Sequence, residues 1–129
     1  MAVQKQLSPR FDVNVTVSYV DKESRPESGY YFFAYRVRIT NKGSVPAQLM
    51  SRHWIITDAL GQVEEVRGAG VIGVQPRIPP GQHFEYESAC PLNSPSGSMR
   101  GTYQMATEEG DNFDIEIPEF YLVSPCALH

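Results

Sequence analysis

The chain has 129 residues, a formal net charge of −4, ten glycines and ten prolines. This length suits one domain that buries a core without disulfide or metal support. Its basic residues are scattered, which argues against a nucleic-acid partner, and no run of about 18 apolar residues predicts a membrane span. Because the first residues lack the apolar segment of a signal peptide, we expect a cytoplasmic protein with no membrane partner.

We expect a single domain over residues 11–125, between an N-terminal tail (1–10) and a C-terminal tail (126–129). The chain has two cysteines, Cys90 and Cys126. A reducing cytosol keeps thiols reduced, so free thiols are expected rather than a disulfide. Cys90 is on the apolar side of its predicted strand, where it is interpreted as a small core residue.

The first half of the chain predicts three strands. Residues 11–19 alternate apolar and polar side chains, which is typical of a strand with one buried face. In the third strand, residues 47–57, the alternation breaks at Leu49-Met50, which predicts a bulge near Ser51-Arg52 or burial on both faces. The second strand covers residues 30–40, and its expected buried residues are Tyr31, Phe33, Tyr35, Val37 and Ile39.

The second half of the chain predicts short strands separated by turns. Gly61 closes a hairpin that needs a positive φ, and Pro80-Gly81 predicts a type II turn. The pattern favours an all-β, fibronectin type III-like or immunoglobulin-like sandwich of two antiparallel sheets with seven to eight strands; an up-and-down barrel is the alternative. The remaining predicted strands are residues 62–67, 83–90, 98–105, 113–117 and, after an interruption at Pro118, 120–122.

The glycine-rich run from Gly68 to Gly73 matches the pattern GxGxxG. That pattern holds a pyrophosphate only between a strand and the N-terminus of a helix, and the prolines that follow prevent a helix from starting. Two interpretations stay open. The run forms a strand or bulge that packs closely on its neighbour, or the backbone amides of Gly68, Gly70 and Gly73 bind an anion.

No group of residues predicts catalysis, a cofactor or a metal centre. His53 has no partners at the spacing of a zinc site or a catalytic triad. On a strand, Arg52 and Trp54 share one face and His53 lies on the other, and Trp54 is expected in the core. The acidic residues follow solvated strand faces and would hold a divalent cation only weakly; they are Glu64, Glu65, Glu85, Glu87, Glu108, Glu109, Asp111, Asp114 and Glu116.

Five motifs follow one another along the chain. They are Ser51-Arg52-His53-Trp54-Ile55-Ile56, Gly68 to Gly73, Pro80-Gly81 before Phe84-Glu85-Tyr86, Gly97-Ser98-Met99-Arg100-Gly101-Thr102-Tyr103, and Phe113, Ile117-Pro118 and Phe120. Together they resemble the ApaG family, and the resemblance covers Phe11 to Leu122. It implies a fibronectin type III-like sandwich without an established enzymatic activity, a link by phenotype to cobalt resistance and magnesium efflux, and, in eukaryotic proteins that contain the domain, a role in protein interaction.

The leading hypothesis is a non-enzymatic module that binds a protein partner through loops or an exposed strand edge. The rival hypothesis is a sensor of a small anion or nucleotide, such as pyrophosphate or a dinucleoside polyphosphate, built on the glycine-rich run. Hydrolytic activity is a third hypothesis, and the chain is expected to be a monomer or a homodimer. The residues predicted to contact a protein partner are Ser51, Arg52, His53, Gly97, Met99 and Arg100.

Overall fold

The computed structural model describes residues 10–125 and contains eight β-strands. Two 3₁₀ turns, Asp21–Glu23 and Pro26–Ser28, lie between the first two strands, and no α-helix occurs within residues 10–125. Cys126 and, apart from Arg10, the two expected tails lie outside the described residues. The strands are β1 (Phe11–Tyr19), β2 (Tyr31–Asn41), β3 (Ala47–Asp58), β4 (Val63–Ala69), β5 (Arg77–Ile78), β6 (His83–Leu92), β7 (Ser96–Thr107) and β8 (Asn112–Val123).

The strands form two antiparallel sheets. The smaller sheet has the order β1-β2-β6, and the larger has the order β4-β3-β7-β8, with β5 paired to the start of β3. No strand pairing joins the two sheets within the described part of the chain, so the predicted sandwich is confirmed and the barrel is wrong. The short strand β5 was not predicted, because its two residues follow directly after Pro76.

The core lies between the sheets and uses the alternating faces of the strands. On β2 the predicted set is buried apart from Tyr31, which is half-buried at the start of the strand. Trp54 is 3 % exposed, which confirms its predicted place in the core. Its ring packs against those of Tyr35, Tyr103 and Phe120, with centroids 5.6, 6.3 and 5.9 Å away.

Two bulges set which side chains face the core. On β3 the register with β7 shifts between Leu49 and Ser51, which confirms the predicted bulge. The expected interruption at Pro118 is wrong, because β8 continues through it. Instead of ending, β8 shifts its register with β7 between the positions paired with Met99 and Gly101. A bulge accommodates a proline because one residue there needs no ladder hydrogen bond.

The predicted turns are confirmed. Gly61 and Gly81 have φ values of 85° and 79°. The amide of Gln82 donates a hydrogen bond to the carbonyl oxygen of Pro79 at 3.1 Å, which closes the turn over Pro80-Gly81 as a type II turn requires.

The sandwich has two seams, the sides along which edge strands of the two sheets face each other. At the closed seam β1 and β8 are in contact, and the ring centroids of Phe11 and Phe113 are 5.9 Å apart. At the open seam β4 of the larger sheet and β6 of the smaller sheet stay apart, and a cavity lies between them. The two seams differ in whether side chains fill the gap between the sheets.

Candidate functional site

The cavity in the open seam has a volume of about 480 Å³. Tyr35, Trp54 and Tyr86 form the aromatic part of its wall, and we call it the open-seam groove. Pockets that hold small ligands commonly measure about 300–1,000 Å³ and are lined by apolar and aromatic side chains with a few polar groups. The groove therefore has room for a small molecule or for a few side chains of a bound peptide.

Arg52 is the cationic group of the groove, and the bulge on β3 turns it inward. Its Nη1 donates hydrogen bonds to the carbonyl oxygens of Ala69 and Gly70, at 3.0 and 2.8 Å. The guanidinium lies against Gly68, where an added Cβ would be 2.9 Å from it. Gly68 is therefore the residue that leaves space for the guanidinium in this position.

The remaining donors of Arg52 have no acceptor among residues 10–125. Neither Nε nor Nη2 donates a hydrogen bond there, and no carboxylate forms a salt bridge with the guanidinium. A guanidinium has five N–H donors and keeps its charge, so three donors stay open to an anionic group. Four exposed arginines differ in this respect, since each pairs with a glutamate: Arg36, Arg38, Arg67 and Arg77.

Glu64 supplies the opposite charge. It is exposed on β4 and contributes to the same wall. The register pairs Glu64 with Ile56 and Gly68 with Arg52. Four residues of a strand span roughly 13 Å. The groove thus has a cation near one end, an anion near the other, and the ring of Trp54 between them.

The thiol and tyrosine hydroxyl groups in and beside the wall of the groove stay protonated at neutral pH. Burial, and then the charge of Glu64, raises the pKa of Cys90 to about 11, so the thiol is protonated and is a poor nucleophile. Cys90 is 5 % exposed, which confirms it as a core residue. The hydroxyl groups of Tyr86 and Tyr103 share a hydrogen bond, and burial raises the pKa of both. These neutral groups suit binding rather than proton transfer.

The residues after β4 form a tight hairpin at the rim of the groove. The amide of Val71 donates to the carbonyl of Val74 at 2.8 Å, and the reverse hydrogen bond measures 3.0 Å. Between them Ile72 and Gly73 have φ values of 48° and 77°. Two consecutive positive φ values are typical of a type I′ turn. This geometry holds Ile72, 61 % exposed, at the rim of the groove.

The three glycines of the GxGxxG pattern have different structural roles. Gly68 makes room for Arg52. A Cβ on Gly70 would collide with the carbonyl oxygen of Val74, and the Gly70 amide donates to the carbonyl of Met50 at 2.8 Å. Gly73 is the second residue of the turn. Close packing is confirmed at Gly68 and Gly70 but not at Gly73, where an added Cβ would have no atom within 4 Å. One of the three amides considered for an anion already has an acceptor.

The six residues predicted to contact a partner lie on both faces of the larger sheet. Arg52, Gly97 and Met99 face the smaller sheet, and Met99 is 1 % exposed. Arg52 and Met99 contribute to the groove, whereas a Cβ on Gly97 would be 2.6 Å from the carbonyl oxygen of Thr57. The six do not form one surface.

The other three residues of that set lie on the outer face of the larger sheet. The hydroxyl of Ser51 donates to Gln104 at 2.8 Å. His53 contacts Glu65 at 2.8 Å and lowers the pKa of that carboxyl group, chiefly by hydrogen bonding. Arg100 is exposed nearby on β7. This face is occupied by contacts between polar side chains of the chain itself.

Several groove residues were not identified as functional from the sequence. The alternation of apolar and polar residues predicts that Tyr35 and Tyr86 lie in the core. Glu64 is interpreted as one of many solvated carboxylates. A signal was present in β4, where Glu64 and Gly68 occupy the inward positions on either side of Val66. A strand with a single apolar side chain facing inward cannot cover the core, so its seam stays open.

Two classes of site are not found in the part of the chain that the structure covers. No cluster of three or more His, Cys, Asp or Glu side chains is placed to hold a metal ion within residues 10–125. No helix in this range is long and apolar enough to cross a membrane.

The fold and the groove define a two-sheet β-sandwich of the fibronectin type III-like class. A family model for the ApaG domain matches residues 21–107. Protein ApaG of Bdellovibrio bacteriovorus is 61 % identical over 127 residues, which cover 98 % of this chain and 100 % of that protein. Protein ApaG of Chromobacterium violaceum is 55 % identical over 120 residues, 93 % of this chain and 95 % of that protein. The chain belongs to the ApaG family.

Solved structures have the same architecture. A crystal structure of a Bordetella pertussis protein described as ApaA is 54 % identical, with a TM-score of 0.88 over 91 % of this chain and 95 % of that one. An X-ray structure of structural-genomics target SoR45 is 44 % identical, with a TM-score of 0.86 over 92 % of this chain and 90 % of that one. The resemblance to the family is therefore confirmed in both sequence and fold.

Proposed function

We propose that this ApaG-family chain is a non-enzymatic, cytoplasmic protein-interaction module that binds a segment of a partner protein in the open-seam groove. The observation that carries the proposal is the half-buried Arg52, whose Nε and Nη2 have no acceptor within residues 10–125. These donors keep their positive charge and stay open to the groove, and a charged donor forms stronger hydrogen bonds with an anionic acceptor than with a neutral one. A ligand with a carboxylate or phosphate group would accept those hydrogen bonds.

The rim of the groove supports the same proposal. Ile72 and Val74 are 61 % and 46 % exposed on the hairpin beside the groove. A β-branched residue with positive φ is a backbone outlier, and such strain is concentrated at binding and catalytic sites. An exposed branched side chain held in this conformation next to an aromatic cavity offers apolar contact area to a partner.

A second candidate function is the binding of a small anion or nucleotide. The charge of Arg52 favours it. The arrangement first expected, with the amides of Gly68, Gly70 and Gly73 converging on one ligand, has less support because the Gly70 amide donates to Met50. The family's phenotypes in cobalt resistance and magnesium efflux would, under the main proposal, act through the bound partner.

Site-specific photo-crosslinking in cells tests the main proposal. A benzophenone amino acid replaces Ile72 at the rim, and the matched control places it at Tyr121, 64 % exposed on β8 at the opposite edge of the larger sheet. We expect a discrete crosslinked protein from position 72 that disappears when Arg52→Gln is added. No product at 72, or equal products at both positions, would contradict the proposal.

A thermal-shift series separates the two candidates. Pyrophosphate, ATP, Mg²⁺ and Co²⁺ are added one at a time to the purified protein. A ligand present at about 100 times its dissociation constant adds about 2.7 kcal/mol of stability. Flat melting across the series, together with the crosslink at position 72, supports protein recognition. A rise with pyrophosphate that Arg52→Gln abolishes, without any crosslink, supports the anion candidate.

A further inference from the structure

The groove presents its groups at the spacing of an extended peptide. Arg52, Trp54 and Ile56 face it from alternate positions of β3, and Glu64 lies beside Ile56 on the neighbouring strand. In an extended chain, side chains at positions i, i+2 and i+4 point to one side and span roughly 13 Å. This is the separation between the cationic and anionic ends of the groove.

We infer that the open-seam groove binds an extended segment of a partner protein that carries one acidic and one basic side chain four positions apart, with an apolar side chain midway between them. The acidic side chain accepts hydrogen bonds from Nε and Nη2 of Arg52, the apolar one packs on Trp54, and the basic one pairs with Glu64. The inference rests on the proposed function and names the chemistry of the ligand.

Charge complementarity selects this occupant over a simple anion. A phosphate or pyrophosphate would accept hydrogen bonds from Arg52 but would form no pair with Glu64 and would leave most of the cavity beside Trp54 unfilled. A segment with both charges matches both ends, and its apolar side chain fills the cavity. The flanking strands also suit a peptide, since β4 and β6 each end a sheet and an edge strand can add hydrogen bonds from its backbone.

Selection from a phage-displayed library of random octapeptides tests the inference. The purified protein is compared with Arg52→Gln, Glu64→Gln and the control Arg67→Gln, whose side chain is 71 % exposed on the outer side of β4. For the wild type we expect an acidic and a basic residue four positions apart, in either order, each enriched about tenfold, as one charge-assisted hydrogen bond implies.

The variants assign each preference to one end of the groove. Arg52→Gln is expected to lose the acidic preference, Glu64→Gln the basic preference, and Arg67→Gln neither. Because Arg52 also supports the hairpin, its melting temperature is measured first. Glu64 is exposed, and its carboxylate forms no hydrogen bond or salt bridge among the described residues, so Glu64→Gln provides a test that does not depend on the fold of the Arg52 variant.

Three outcomes would overturn the inference: no enriched peptides, enriched peptides without the paired charges, or a basic preference that survives in Glu64→Gln. If the crosslink at position 72 persists in any of these cases, the proposed function stands and only the ligand chemistry is wrong. If the crosslink is also absent, both are wrong. Melting that rises with pyrophosphate equally in the wild type and Glu64→Gln, without peptide enrichment, would assign the groove to an anion alone.

Discussion

The two seams lie between the same two sheets and differ in the side chains that face inward. β8 contributes Phe113, Ile115 and Ile117 to the closed seam, and Phe11 of β1 lies against Phe113. The inward positions of β4 carry Glu64, Val66 and Gly68. Apolar burial completes one seam, whereas the other lacks the apolar surface to close. The inward residues of the open seam are thus not chosen for packing, which is typical of residues with another role.

The open seam also contains local features that do not favour folding. Ile72 has a positive φ, and Arg52 is half-buried without a carboxylate partner in the described chain. At the closed seam no residue other than glycine has a positive φ among residues 10–125, although Tyr19 Oη on β1 and Ser124 Oγ after β8 are buried without a hydrogen-bond partner there. Proteins that violate folding preferences locally tend to do so at functional sites, and this contrast leads to predictions that separate folding from binding.

The largest effect is expected at Gly70, which holds the hairpin against the rest of the open seam. Gly70→Ala places a Cβ against the Val74 carbonyl oxygen at a φ of 60°. Overpacking and the left-handed backbone together would lower the free energy of unfolding by about 3 kcal/mol. Urea denaturation measures the loss.

Gly73→Ala is the matched control, since its φ is 77° and no atom would lie within 4 Å of the new Cβ. Its free energy of unfolding is expected to fall only by the penalty for a side chain on a left-handed backbone, about 1–2 kcal/mol. Equal losses in the two variants would show that close packing at Gly70 does not hold the hairpin in place.

The next largest effect is expected in the closed seam. Phe113 is half-buried against Phe11, so Phe113→Ala would lower the free energy of unfolding by about 2 kcal/mol, less than for a fully buried phenylalanine. Crosslinking from position 72 would not change, because the closed seam is on the other side of the sandwich. Phe113→Leu, which keeps most of the apolar area, is expected to lose less. A weaker crosslink in a folded Phe113→Ala protein would contradict the division between the seams.

A smaller effect of opposite sign is expected at Ile72. Ile72→Gly removes the penalty for a side chain at positive φ, about 1–2 kcal/mol, and adds chain entropy to the unfolded state, for a net gain of about 0.5–1 kcal/mol. The same variant would weaken peptide binding, because the rim loses its apolar contact. Stability is followed by urea denaturation and binding by retention of the selected peptides.

Ile72→Ala is the control for this variant, since it keeps a Cβ at positive φ and removes most of the side chain. It is expected to lose binding without the gain in stability. If Ile72→Gly destabilises the protein, the strained turn is not a cost to folding and the comparison between the seams loses one of its two supports.

Most of the fold follows from the sequence because it depends on short-range patterns. Alternation located β1 and β2, and the break at Leu49-Met50 located the bulge of β3. The predicted interruption of the strand at Pro118 is wrong, because a proline can lie at a bulge inside a strand. Each of these outcomes concerns neighbours along one strand, where the period of two is a strong signal.

The site follows from the sequence only in part, since it depends on the order of strands in the sheets. Alternation placed Arg52 on the same face as Trp54, but it does not say that β4 and β6 face each other across a gap. Tyr86 therefore read as an ordinary core residue. The predicted partner set joined Arg52 with His53, which the pleat separates onto opposite faces. Pairing between distant strands, rather than any local pattern, brings Glu64 and Arg52 into one groove.

The smallest effect is expected outside both seams, at Glu65 on the outer face. Hydrogen bonding from His53, and then the charges nearby, lowers the pKa of Glu65 from its ordinary value of 4.5. A carboxyl group with a lowered pKa stabilises the folded state above its unfolded pKa, and this contribution is lost as the pH falls through the folded pKa. Since Glu65 is exposed and surface pairs contribute little, Glu65→Gln should leave stability at neutral pH nearly unchanged. Urea denaturation from neutral pH to below 4.5 should show a slightly flatter acid loss in the variant, with Glu87→Gln as a surface control. A large loss at neutral pH would show that the outer face contributes to folding as the closed seam does.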